Sequence, residues 1–151
     1  MDKQVNFINW DEHFVLGVTI IDRQHENLVN KINNLYQIRS RNVEAEMPDF
    51  FTSVYDVVSY ARYHFNTEEK LMLLSDFQGY THHKKKHQNY ILEARNKSSK
   101  LKEGKARSLD DYIQFLRNWV LLDIAVCDKD FTDFIFSTKD HRNGKLGCFL
   151  L

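Results

Sequence analysis

The residues of this chain best equipped for chemistry are histidines and carboxylates at helical spacing. In HFNTEE, His64 and Glu68 stand four apart, and in HKKKH so do His83 and His87. Residues four apart on a helix lie about 40° apart around its axis, so each pair can reach one centre. Imidazole combined with carboxylate favours iron, zinc, copper or nickel over magnesium or calcium. A carboxylate can also bridge two ions where a single imidazole cannot, and four histidines plus carboxylates suggest two metals. Each signal alone is ordinary. A lone core histidine such as His25 is more often hydrogen-bonded than ligating, and an isolated HxxxH or HxxxE pair is a surface feature about as often as a metal site. Asp123 and Asp128, five apart, fall about 140° apart on an α-helix, so their spacing does not aim them at one metal. What shifts the balance is that all four apolar seams of the chain carry such a group.

Those seams define the elements. Apolar residues recur at three and four, strand-type alternation is absent, and the chain has one proline and five glycines. The periodicity predicts helices over about 19–40, 48–74, 81–101 and 109–136. The first carries Ile21, His25, Leu28, Ile32 and Leu35 on one stripe, with Thr19 and Asp22 as a capping box. The second opens at Pro48 and carries Phe50, Val54, Val57, Ala61, His64, Glu68 and Leu71. The third presents His83, His87, Tyr90 and Ala94 inward. The fourth, with Ser108 and Asp111 as its capping box, has Leu109, Ile113, Leu116, Val120, Asp123 and Cys127 as its seam. Four such helices with short connections make an all-α, up-down-up-down antiparallel bundle about 30 Å long. Residues 1–18 read as an arm over the bundle and the last fifteen as a loose tail.

Size and composition narrow the function. A chain of 151 residues suits one domain with one core. Its 21 basic and 21 acidic side chains balance, which removes the electrostatic case for a nucleic-acid or anionic-membrane partner. Neither a signal peptide nor an apolar run of about eighteen residues is present, so a soluble cytoplasmic protein is expected. Cys127 and Cys148 make neither a disulfide framework nor a zinc spacing, and Cys127 reads as a small core residue. His13, His82 and His141 match no ligand position, and Lys84 to Lys86 read as a solvated face.

The blocks GVTIIDRQH ending at His25, HFNTEEKLM from His64, HKKKH from His83 and FLRNWVLLDIAVCDKDF from Phe115 resemble, in order and spacing, those of the hemerythrin family. The resemblance runs from Trp10 to about Phe136. It implies two iron ions with a bridging oxo or hydroxo group. One iron would be held by His25 and His64, with an open position for dioxygen; Glu68 and Asp128 would bridge. The second would be held by His83, His87 and a third histidine, but the family pattern WLxxHIxxxD stands here as WVLLDIAVCD, with Asp123 in the ligand place. Leu28, Phe65, Trp119, Val120 and Ile124 would line the oxygen position, although ordinary core packing satisfies the same residues.

Asp123 can act in two ways. As an oxygen ligand it adds an anion, which favours ferric iron, lowers the reduction potential and quickens autoxidation. As a side chain shorter than histidine it leaves its iron under-coordinated, with a second open position of the kind oxidases and peroxidases use. Three function classes follow, in this order: a dioxygen-binding protein for storage, delivery or scavenging; a di-iron oxidase or peroxidase; and an oxygen or redox sensor working through a separate partner. The expected ligand is dioxygen, another small diatomic molecule or peroxide.

Overall fold

The structure is a computed structural model that describes residues 6–41, 47–103 and 106–138. All regular structure among these residues is helical. Helix α1 spans Thr19–Ser40, α2 Met47–Leu74 and α3 Tyr80–Ser99, followed by a 3-10 turn at Lys100–Glu103. The fourth rod is in three pieces: α4 (Ala106–Leu122), a π-helical segment (Asp123–Asp128) and α5 (Lys129–Ser137). Helix α1 packs on α2 and α4, α2 on α3, and α3 on α4, which closes the expected four-helix bundle.

The apolar stripes bury as their spacing requires. Ile21, Leu28, Ile32 and Leu35 of α1, and Val57 and Ala61 of α2, are fully enclosed. Burying a side chain of Val, Leu or Ile type contributes about 1.5–3 kcal/mol. That gain sets each helix's rotation, and the ionisable group on each stripe is carried inward with it. The fourth seam departs from expectation at Cys127, which is only half-buried, while Asp128 is fully buried. A π-helix bonds i to i+5 and so inserts one residue into the α register. Past Val120 the inner positions therefore become Asp123, Ile124 and Asp128, then Phe131 and Ile135.

Both expected capping boxes are otherwise built. Val18, not Thr19, stands at the N-cap of α1 without a side-chain cap. The Asp22 carboxylate instead accepts from the backbone amides of Leu16 (2.7 Å) and Gly17 (3.0 Å), fixing the bend by which the arm enters the helix. Gly17 takes φ +94°, and a Cβ there would lie 3.0 Å from the Phe136 ring, so the bend needs glycine for both conformation and space. Ser108 lies inside α4 and so is not its N-cap. The arm reading holds for the described residues of that segment. Ile8 is buried and exchanges two 2.8 Å hydrogen bonds with the Asn33 side chain, and Phe7 stacks on Tyr36. The expected tail, with His141 and Cys148, lies outside the described residues.

The turn from α2 into α3 positions half of the site. Phe77 N–H donates to the Met72 carbonyl (3.0 Å) and Asp76 N–H to that of Leu73 (3.3 Å), with Asp76 at φ 54°. This is the Schellman pattern of a helix end. It reverses the chain within five residues, so α3 returns antiparallel along α2 and sets His83 and His87 opposite Glu68.

Candidate metal centre

Six side chains converge between the helices: His25 from α1, His64 and Glu68 from α2, His83 and His87 from α3, and Asp128 from the π segment. They fall into two overlapping sets, His25–His64–Glu68–Asp128 and Glu68–His83–His87–Asp128, each with ligand atoms within 4.8 Å of one another. The two carboxylates belong to both sets, and their oxygens divide between them. Glu68 Oε1 lies 3.3 Å from His64 Nε2, while Oε2 lies 3.2 Å from His87 Nε2. Asp128 Oδ2 lies 2.8 Å from His25 Nε2, while Oδ1 lies 3.2 Å from His83 Nε2. Each carboxylate thus spans two imidazole pairs, the arrangement a bridge between two cations requires.

The polar accounting fits a cation pair. Both oxygens of Glu68, Oδ1 of Asp128 and Nε2 of His83 and of His87 are buried and make no hydrogen bond. Each orphaned atom costs about 1–3 kcal/mol unless something satisfies it. Five such atoms turned to one centre are accounted for by ions that accept every lone pair at once.

The ring nitrogens are prepared for that role. His64 Nδ1 lies 2.9 Å from Gln24 Oε1, and Gln24 Nε2 in turn donates to Thr67 Oγ1 at 3.0 Å. His87 Nδ1 lies 3.0 Å from Glu69 Oε1. An oxygen acceptor at Nδ1 holds the proton there, so Nε2 presents its lone pair to the centre. Burial, with His25 nearby, pushes His64 down to about 4, and burial with His83 nearby pushes His87 down to about 3. Both rings are therefore neutral at pH 7, as ligation demands. Burial and the Asp128 carboxylate push Glu68 well above the usual carboxylate range. Burial acts on Asp128 in the same direction, but the His25, His64 and His83 imidazoles packed around it, His25 Nε2 nearest at 2.8 Å, outweigh it and hold Asp128 well below that range. Gln24 and Glu69 escaped the sequence reading. Their only signal there is adjacency, Gln24 beside His25 and Glu69 beside Glu68, which no periodicity rule singles out.

Asp123 is buried beside the centre but belongs to neither set. It hydrogen-bonds with Cys127, and burial together with the Asp128 charge raises it well above the usual range. Lys86 Nζ reaches Cys127 Sγ at 3.3 Å, so one lysine of the basic run folds back toward the site and does not simply face solvent. His82 and His13 are exposed, the latter paired with Asp11 at 2.9 Å. Leu28, Phe65, Val120 and Ile124 are buried in one apolar cluster, with Trp119 partly buried against it. Phe65 stacks on the His87 ring at 3.8 Å.

Residues 16–134 match the model of the hemerythrin HHE cation-binding domain. The chain is similar to a bacteriohemerythrin of Stenotrophomonas maltophilia (strain R551-3), 23% identical over 89% of each chain. It is also similar to one of Pseudomonas aeruginosa (strain ATCC 15692), 25% identical over 83% of this chain and 80% of the relative. A hemerythrin-like protein of Naegleria gruberi is 27% identical over 80% of this chain and 87% of its own.

Proposed function

Because this chain belongs to the hemerythrin family, we propose that it holds two irons between its helices and binds dioxygen, or a ligand of similar size, at one of them. The observation that carries this is the division of the Glu68 and Asp128 oxygens between the two histidine pairs. His25 and His64 would hold one iron, His83 and His87 the other, and Glu68 and Asp128 would be shared between them. Ferrous ions, when bound, supply the electrons that dioxygen draws on. The chain's own part is to orient ligands and exclude water. Gln24 and Glu69 fix the rings, and Leu28, Phe65, Trp119, Val120 and Ile124 supply an apolar surround that keeps out the water and protons assisting loss of reduced oxygen.

Asp123 gives this chain its own character. Buried beside the centre and outside both ligand sets, it fits the under-coordinated alternative, in which the iron held by His83 and His87 would lack a third side-chain ligand of its own. Next to two cations Asp123 would be held ionised, and an anion that close to the pair would favour the ferric state, so oxygen uptake would be followed by quicker oxidation than at a site with five histidines. Storage or scavenging fits that balance. The oxidase or peroxidase reading draws on one further observation, the groove that Asp123 lines, described below.

The test is to load the protein anaerobically with ferrous iron, count metals per chain and follow the visible spectrum through oxygen addition and removal. Reversible cycling supports the binding reading. Irreversible conversion to the ferric form on first exposure, with peroxide turnover afterwards, supports the enzyme. One metal per chain contradicts both.

A further inference from the structure

Between α3 and α4 lies an open groove of about 680 Å3, within the range of small-molecule sites. One wall is aromatic: Tyr90 stacks on Trp119 at 3.6 Å and on Phe115 at 5.6 Å between ring centroids. The Tyr90 ring is 96% enclosed by the fold, being only 4% exposed, yet its hydroxyl has no hydrogen-bond partner. A buried hydroxyl without a partner carries a desolvation cost that an arriving polar group would repay. Asp123, the carboxyl beside the metal centre, also lines the groove.

Charge narrows the class of occupant. Glu93, Asp111 and Asp123 line the groove with Lys86, and Lys97 pairs with Glu93 at 3.6 Å and lies 5.2 Å over the Phe115 ring of the wall, so three carboxyl groups face two cations. That balance opposes carboxylates and phosphates and accepts a neutral hydroxyl, which can donate to a carboxylate and accept from Tyr90. A planar ring suits the aromatic wall.

The wall also leads somewhere. Trp119 meets Phe65 edge-on at 5.4 Å, and Phe65 lies flat on His87 at 3.8 Å and 9°. Rings in van der Waals sequence thus run from the groove to an imidazole of the metal centre. A pair of irons that Asp123 biases toward the ferric state needs electrons to return to ferrous, and this is a short path for them.

We propose that this groove binds a small hydroxyl-bearing aromatic molecule, of the phenol and hydroquinone class, which serves as electron donor to the metal pair. The donor role rests on the di-iron reading above; the binding does not. In the donating step hydroquinone loses two electrons and two protons and becomes benzoquinone. Two ferric ions take one electron each and become ferrous, and the protons pass to solvent.

The first test uses the metal-free full chain, with phenol as a redox-silent probe, calorimetry for affinity and proton NMR for the Tyr90 and Trp119 rings. Saturable binding is expected with Kd of about 1 mM or tighter, and benzoate should bind at least about tenfold more weakly. Tyr90→Phe should weaken phenol about tenfold. Leu122→Trp, at a groove position 63% exposed and so neutral for folding, should block the site. Absence of saturable binding, benzoate binding as well as phenol, or indifference to Leu122→Trp would each overturn the proposed site. The second test reduces ferric, iron-loaded protein with hydroquinone. A rate that saturates, that phenol inhibits and that Leu122→Trp slows supports the donor role; a rate linear in hydroquinone and unaffected by phenol overturns it. If two irons do not load, the di-iron reading fails while the phenol measurement still decides the groove.

Discussion

Asp123 and Asp128 are both buried on the inner side of the fourth rod because the six residues they bound wind as a π-helix. An uninterrupted α-helix would turn them about 140° apart and send one to the surface. The inserted residue is what brings Asp128 between the two histidine pairs while keeping Asp123 beside them. Single π turns inside α-helices are rare and concentrate at functional sites, and this one is explained by the carboxylate it delivers.

Replacing Asp123 with histidine restores a nitrogen donor and removes an anion from the neighbourhood of the irons. Autoxidation of the oxygenated protein should slow by about tenfold, the effect of roughly 1.4 kcal/mol on the barrier. The decay of its visible absorption measures this, and an unchanged rate would show that Asp123 does not set redox stability.

The hydrogen bonds behind the ligands should matter almost as much as the ligands. Gln24→Leu frees the His64 ring and Glu69→Leu frees that of His87, so each should lower metal affinity by about 10–100-fold. Competition against a chelator reads the change. Because the two act on different histidine pairs, Gln24→Leu should loosen one iron and Glu69→Leu the other; full affinity in both variants would remove the orienting role.

Period 3.6 responds to burial, so it found the helices and the inward positions of His25, His64, Glu68, His83 and His87. It misplaced Cys127 and left Asp128 to be named by the family resemblance alone, since a π turn changes the register without any change in composition. It also failed at Ser108 and Thr19, where the capping motif is present but the chain starts its helices elsewhere. Gln24 and Glu69 were invisible for a different reason. They act by a single hydrogen bond to a neighbour on another turn or helix, and a one-dimensional pattern does not record that geometry.

The metal-free protein should respond to pH with opposite signs from its two kinds of ligand. His64 and His87 have folded values near 4 and 3 against an ordinary 6.5, so unfolding takes up protons and stability falls as pH drops below 6.5. Glu68 is raised above its ordinary 4.5, so its share of stability is intact below 4.5 and lost as pH rises through its folded value. Glu68→Gln should therefore make metal-free protein more stable than the parent at pH 7 and little different at pH 4. The same variant should lose the bridge and bind iron poorly. Denaturant melts at the two pH values test this, and a Glu68→Gln chain that is less stable without metal at pH 7 would contradict it.

Leu28 is fully enclosed in the apolar cluster next to the centre. Leu28→Ala should cost about 2–5 kcal/mol of stability, the usual range for such a cavity. Water entering the space should also speed autoxidation. Thermal melts and oxygen-adduct lifetimes should fall together in this variant, while a shorter lifetime with an unchanged melt would place Leu28 outside the core it is assigned to.

Glu68 and Asp128 are proposed to bridge two irons, and electron paramagnetic resonance of the oxidised, iron-loaded protein reads that bridge. Two ferric ions bridged in this way couple their spins, so two irons per chain and no ferric signal are expected. A strong signal from isolated high-spin ferric iron in a chain carrying two irons, or one iron per chain, would contradict the bridge.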